Sequence, residues 1–206
     1  MGFYDRHILP FILDVALSAE PIGHQREKLV PRAQGRVLEI GFGAGHNLPY
    51  YDAQKVTHLW ALEPSREIRA KAAKRVGKSP IHLEFLDLPG ERIPLDDESA
   101  DTVLVTYTLC SIPDVMLALS GMRRVLKPSG QLLFCEHGEA PDENVRRWQT
   151  RITPTWKNIC GGCHLGRAIP RLIRESGFQI RDMDTMYVPN TPRFAAFNYW
   201  GSATRR

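Results

Sequence analysis

The residues of this chain best suited to chemistry converge on a glycine-rich turn flanked by two acids. Val37-Leu38-Glu39-Ile40 runs straight into Gly41-Phe42-Gly43-Ala44-Gly45, so a buried strand stops at a turn whose backbone a nucleotide-like ligand can approach. A side chain at Gly41 or Gly43 would block that approach, or would be strained if the turn needs positive φ. Glu39 closes an otherwise apolar strand, where its carboxylate suits the cationic end of a ligand and repels a pyrophosphate. His46 stands where the dinucleotide fingerprint G-x-G-x-x-G/A requires a small residue, which argues against a nicotinamide enzyme. Glu63-Pro64 ends the next apolar run about 20 residues on, where an acid chelates ribose hydroxyls; the plainer alternative for Glu63 is an exposed acid at a helix start. An acid for a cation and an acid for a ribose point to S-adenosylmethionine.

A second group lies later in the chain. Cys160-Gly161-Gly162-Cys163-His164 is literally C-x-x-C-H, the haem attachment pattern. Haem attachment requires an exported protein and a separate axial ligand, and no signal segment is read in this sequence. Cys160, Cys163, His164 and His137 are chemically suited to zinc, but the spacing lacks a second ligand pair. A redox disulfide is a further alternative. The expectation is ordinary packing or pocket lining, with no metal. Trp148 and Trp156 in the same stretch offer apolar walls to a small acceptor, or simply belong to the core.

Positioning these residues takes an alternating pattern of elements. Runs over Arg36 to Ile40, His58 to Leu62, Ile81 to Leu86, Thr102 to Tyr107 and Gln131 to Cys135 read as buried parallel strands. Helices are predicted over His46 to Ala53, Ser65 to Val76 with Ser65 as N-cap and Gly77 as C-cap, Pro113 to Leu126, and Ile169 to Ser176. Gln179 to Val188 and Arg193 to Ala203, joined by Pro189-Asn190-Thr191-Pro192, read as an antiparallel hairpin. The predicted fold is α/β: a Rossmann-like seven-stranded sheet of five parallel strands plus a C-terminal antiparallel hairpin, with helices on both faces. One domain over residues 1–206 is expected, with a helical cap over 1–34 and an insertion over 138–167 that covers the acceptor site.

Composition narrows the class. Hydrophobic content of 43% and charged content of 24% are those of a globular protein, and no apolar run is long enough to span a bilayer. Four cysteines, two of them inside apolar runs at Cys110 and Cys135, read as buried free thiols in a reducing, cytoplasmic setting. The net charge of +4 comes from scattered basic residues, a poor footprint for nucleic acid. Ile8, Phe11, Ile12, Val15 and Leu17 fall on one helical face, expected to pack on the domain, with peripheral contact to a membrane surface as the alternative. The oligomeric state is open.

Through Glu39 to Gly45, Glu63-Pro64 and Val125-Leu126-Lys127-Pro128-Ser129-Gly130, the chain resembles the class I S-adenosylmethionine-dependent methyltransferases along nearly its whole length. Gly41 to Asn47, Gly90-Glu91, Leu109-Cys110-Ser111, Glu136-His137, Trp148, Pro154-x-Trp156 and Gly162-Cys163-x-Leu165 make it most similar to the methyltransferase-like thiol methyltransferases and their bacterial relatives. Quinone-biosynthesis C-methyltransferases and small phospholipid N-methyltransferases are looser likenesses.

The resemblance implies that Gly41, Gly43 and Gly45 line the methionine and ribose, that Glu39 holds the amino group, and that Glu63 takes the ribose hydroxyls. Asn47 matches a polar position after the loop, and Thr106 to Leu109 should lie beneath the sulfonium. Pro89 fills the slot of the family's usual acid at adenine, leaving Asp87 or Glu91, beside Gly90, to supply that contact. The implied reaction is transfer of a methyl group to a small acceptor, a thiol first, with His137 and then His164 as the candidate base. Trp148, Trp156 and Cys163 are the candidate acceptor wall. A non-catalytic cofactor-binding protein is the rival from another class.

Overall fold

The computed structural model describes Tyr4 and residues 8–206. Seven strands form one sheet: β1 (Gly35–Ile40), β2 (Val56–Leu62), β3 (Leu83–Leu86), β4 (Ala100–Thr106), β5 (Leu126–His137), β6 (Phe178–Tyr187) and β7 (Phe197–Arg205). Their order is β3-β2-β1-β4-β5-β7-β6. The first five strands pair parallel, and β7 pairs antiparallel with both β5 and β6. The mixed sheet is therefore the one the sequence predicts.

Residue alternation explains why the central strands read as continuous apolar runs. Leu38, Ile40, Val103, Val105, Leu132 and Phe134 pack into one core, whereas Val37, Leu59, Ala61, Leu104, Leu133 and Cys135 pack into a second. Both faces of the sheet are covered, so neither phase of the period-two pattern faces water. The first core is completed by α4 (Val115–Val125) and α6 (Ile169–Glu175), through residues such as Met122 and Ile173. The second is completed by Leu29, at the end of α2 (Glu20–Leu29), and Ala72 of α3 (Arg66–Val76).

Local chemistry sets the helix ends. Ser65 caps α3 by accepting the Ile68 N–H at 3.2 Å, and Gly77 follows its last turn. Asp114 caps α4 in the same way, accepting the Leu117 N–H at 2.9 Å.

Three predicted elements differ. The helix expected over His46 to Ala53 is a loop with a single 3-10 turn at Leu48–Tyr50. Asn47 there turns its side chain inward, and Pro49 has no N–H to donate to a helix. The strand expected from Arg193 begins instead as a helical turn, α7 (Arg193–Ala196), before β7. The stretch from Gly138 to Arg167, which showed no periodicity, holds the 17-residue helix α5 (Glu143–Ile159). Its inward residue Gln149 is polar: the Nε2 donates to the carbonyls of Gly138, Leu165 and Phe194, and the Oε1 accepts the Ala140 N–H. Pro154 inside the helix interrupts the pattern further.

The sheet edge at β6 is irregular. Its register to β7 shifts between Ile180 and Asp182, and Asp182 accepts both terminal nitrogens of Arg32 at 2.9 and 2.8 Å.

Candidate cofactor cavity

A parallel sheet whose strand order reverses leaves a crevice at the carboxyl ends of the strands beside the reversal. Here the reversal falls between β1 and β4, and a cavity of about 320 Å³ opens there. It is lined by Glu39 and Ile40 from β1, Leu62 and Glu63 at the end of β2, and Thr106 ending β4. That volume is within the range of small-molecule sites, about 300–1,000 Å³.

The three glycines of the turn all adopt positive φ, of 71, 58 and 75°, but for different reasons. A Cβ on Gly41 would overlap the Thr108 side chain, and one on Gly45 would press Phe42, Leu48 and Ala72 at 3.2–3.3 Å. These two positions are set by the protein's own packing. A Cβ on Gly43 would meet nothing nearer than 3.8 Å and would stand on the cavity wall. Of the three, Gly43 is the one whose side-chain position opens onto the cavity.

Both acids are buried and fully engaged. Glu39 accepts the Asn47 amide at 2.9 Å and the Tyr51 hydroxyl at 2.7 Å. Burial pushes its carboxyl up from 4.5 to about 7, against those bonds and the Arg26 guanidinium. Asn47 also donates to Thr106 Oγ1 at 3.0 Å and accepts Arg26 Nε at 3.0 Å, so one buried amide ties α2, β1 and β4 together. Glu63 accepts the Gly43 N–H at 3.1 Å and the Ser65 N–H at 2.9 Å, and burial raises it as well. A carboxylate on each side of an open glycine backbone, in a crevice with an apolar roof, fits a ligand that joins a cation to a nucleoside.

The roof is α1 (Leu9–Leu17), which presents Leu9, Pro10, Leu13, Asp14 and Leu17 to the cavity. Its outer residues Phe11 and Val15 are 61% and 54% exposed, so the apolar face divides between cavity and solvent. Asp14 fastens it: His46 Nε2 stands 3.0 Å away and Arg75 Nη1 3.7 Å away. Burial, with Arg26 and Arg75 nearby, pushes His46 down to about 4, so the charge opposite Asp14 is that of Arg75. Arg26 holds the other end through the Leu17 carbonyl at 2.6 Å.

The structure gathers some predicted residues and leaves others outside. Gly41, Gly43, Asn47, Pro64, Gly90, Glu91 and Thr106 line the cavity, and Pro89 lies beside Gly90 in its wall. Gly45 does not reach it, since that position is enclosed by side chains. Asp87 also faces elsewhere, paired with Arg69 at 2.9 Å. Leu109 is completely buried in the core; its backbone N–H goes to Glu136, and its carbonyl accepts Arg167.

Neither histidine faces the cavity. His137 lies behind its wall, 3.2 Å from Cys163 Sγ, and His164 is half-buried, its backbone N–H bonded to the Cys110 carbonyl at 2.8 Å. Trp148 is 58% exposed in a surface dent beside α5. Trp156 packs edge-on to Phe194, and Cys163 is buried away from the cavity. The cavity wall nearest these residues is made by Tyr107, Thr108, Ser111, Ile112, Cys160 and Gly161.

Arg26 was not anticipated: its helix is mostly polar and solvent-facing, and one buried cation among Glu20, His24, Glu27 and Lys28 carries no sequence signal. Tyr107, at φ 53°, is a bulky residue in the left-handed region at the strand end, a conformation that the surrounding packing has to impose. Sequence gives no sign of it.

The methyltransferase domain family matches residues 38–134, from within β1 into β5, a span that carries most of the cavity wall apart from the α1 roof, Arg26, Cys160 and Gly161. The thiol S-methyltransferase TMT1B of Rattus norvegicus is 35% identical over 148 residues, covering 69% of this chain and 59% of that protein. The human TMT1B is 34% identical over 164 residues, covering 76% and 66%. The chain thus spans roughly three fifths to two thirds of the length of these curated relatives. In fold it is like the YcgJ protein of Bacillus subtilis, with a TM-score of 0.66 at 17% identity over 90% of this chain and 98% of that one. On sequence and architecture together, the chain belongs to the class I S-adenosylmethionine-dependent methyltransferases and stands close to the TMT1 thiol methyltransferases.

Proposed function

We propose that this chain transfers the methyl group of S-adenosylmethionine to a small, apolar acceptor, a thiol before other classes. The observation that carries the reading is the cavity itself: an open glycine backbone between two buried acids, continuous with a wall of Tyr107, Ile112, Pro113 and Cys160 under an apolar helix. Gly43 and Glu63 take the ribose side, and Glu39 faces the cationic methionine end. Gly90 and Glu91 border the adenine side, where Pro89 replaces the usual acid.

Displacement at a sulfonium needs no proton on the leaving thioether, so the residues act mainly by holding acceptor and methyl carbon in line and excluding water. A thiol has an ordinary pKa of about 8.5, and a few per cent is already thiolate near neutrality. No histidine of this cavity has to remove the proton. His137 acts in this reading only through the loop it supports.

The outer apolar face of α1, with Phe11 and Val15 in solvent, favours a second reading in which the acceptor is a phospholipid amine met at a membrane surface. No helix among the described residues is long and apolar enough to cross a membrane.

Titration calorimetry with S-adenosylhomocysteine, followed by labelled methyl transfer to small thiols, quinols and phosphatidylethanolamine vesicles, tests both readings. Micromolar binding with transfer to thiols supports the first, and transfer to the vesicles alone supports the second. Failure to bind S-adenosylhomocysteine overturns both.

A further inference from the structure

Behind the acceptor-side wall, three segments bring soft ligand atoms together. Cys110 comes from the loop after β4, His137 from the last position of β5, and Cys163 from the turn after α5. One sulfur or nitrogen from each lies within 4.8 Å of the others, and Cys163 Sγ is 3.2 Å from His137 Nε2. All three residues are buried: Cys110 is 3% exposed, Cys163 8% and His137 9%.

A tetrahedral zinc ion bound at about 2.3 Å to sulfur and about 2.0 Å to nitrogen sets its ligand atoms about 3.5 Å apart. The Cys163–His137 pair is already close to that spacing, and the other two pairs lie within 4.8 Å. A disulfide would use the two sulfurs and leave the imidazole unexplained. A simple Cys163–His137 hydrogen bond accounts for two of the three groups and leaves Cys110 Sγ bonded only within its own loop, to the Tyr107 carbonyl at 3.8 Å and Ser111 Oγ at 3.4 Å. The remaining imidazole nitrogen, His137 Nδ1, is buried with no hydrogen-bond partner among the described residues.

We propose that Cys110, His137 and Cys163 form a binding site for a thiophilic divalent ion of the zinc class. Both thiols release their protons on binding, and two thiolates with one neutral imidazole neutralise the dication in a buried setting. The ion fastens three segments, two of which also carry cavity residues: Thr108 and Ser111 flank Cys110, and Cys160 and Gly161 lie on the turn of Cys163. It sets the shape of the acceptor-side wall from behind. The proposal does not depend on which acceptor is methylated.

Cobalt(II) titration of the full, reduced chain, expressed without a histidine tag and stripped of metal, tests it directly. Expected is saturation at one equivalent, with a thiolate-to-cobalt charge-transfer band and the visible bands of a tetrahedral ion. Cys110→Ser and Cys163→Ser should each lower the charge-transfer intensity by about half, one thiolate of two. His137→Ala should weaken cobalt binding at least tenfold, whereas Cys160→Ser and Cys135→Ser should change neither quantity.

If the serine variants fail to fold, the wild-type melting temperature in zinc against chelator decides, with a rise of several degrees expected. The proposal is overturned by the absence of a charge-transfer band, by a band that depends on Cys160 as strongly as on Cys163, by a melting temperature indifferent to zinc, or by a Cys110–Cys163 disulfide in metal-free protein as isolated. Binding of S-adenosylhomocysteine in the same samples shows separately whether the cofactor cavity is intact.

Discussion

Replacing Glu39 with glutamine should move stability and cofactor affinity in opposite directions, by an amount that grows from about pH 4.5 and is complete above neutral pH. Burial raises the Glu39 carboxyl from 4.5 to about 7 in the folded chain. A raised carboxyl favours the protonated folded state: its contribution is fully present below the ordinary value and is lost as pH rises through about 7. The shift of about 2.5 units corresponds to about 3 kcal/mol of destabilisation at pH 8.5.

Glutamine keeps the shape, can accept from Asn47 and donate to the Tyr51 oxygen, and carries no charge. The ligand-free variant should therefore be stabler at pH 8.5 by up to about 3 kcal/mol, a rise in Tm of about 6–12 °C for a chain of this size. At pH 5 most of the difference should be gone, leaving about 1 kcal/mol or less. Affinity for S-adenosylhomocysteine should fall at least tenfold at pH 8.5, because the methionine-end cation loses its counter-charge, and wild-type affinity should rise with pH through about 7. Thermal melting at the two pH values, with calorimetry alongside, reads both effects. A Tm difference equal at pH 5 and 8.5, or an affinity unchanged by the substitution, would refute the assignment of Glu39 as the charge opposite the cation.

The glycines should separate by role. Gly43→Val should reduce S-adenosylhomocysteine affinity more than a hundredfold, at a stability cost of about 1–3 kcal/mol for its positive φ, whereas Gly41→Ala should chiefly unfold the loop because its Cβ meets Thr108. Calorimetry and melting on both variants check the contrast. Asp14→Ala should speed dissociation of S-adenosylhomocysteine about fivefold, the worth of roughly 1 kcal/mol at a partly buried ion pair, with little change in the urea midpoint; stopped-flow displacement measures it. Gln149→Leu should cost about 2–4 kcal/mol, since three carbonyls and one N–H lose their partner together, and urea denaturation at pH 7.5 reads the loss.

What could be read in advance was what rests on local rules. Short continuous apolar runs over β1, β2, β4 and β5 read as buried parallel strands, and Ser65 announced its helix, because run length and capping are properties of neighbouring residues. Glu39, Gly43 and Glu63 fall on the cavity wall for the same local reason: Glu39 is next to last in β1, Gly43 lies in the turn that follows, and Glu63 directly follows β2. Leu109 and Asp87 stand outside the cavity wall, because whether a loop residue turns toward it depends on packing from elsewhere, here Glu136 with Arg167 and Arg69. The helix α5 stayed hidden since its inward stripe contains Gln149 and its middle contains Pro154. Trp148 looked like a pocket wall by size, yet side-chain size does not say which way a helix faces. Cys110 and Cys163 are 53 positions apart, and no spacing rule joins them.

The irregular edge at β6 bears on how copies of this chain meet one another. A sheet edge of ten residues offers a row of unpaired backbone groups that another strand can extend. Here the register shift at Ile180 and Asp182 distorts that row, while Arg181, Asp182 and Asp184 place charge along it. An incoming strand would have to strip water from these groups and to match a kinked ladder. The same bulge that turns Asp182 toward Arg32 thereby keeps the open end of the sheet from templating its own aggregation.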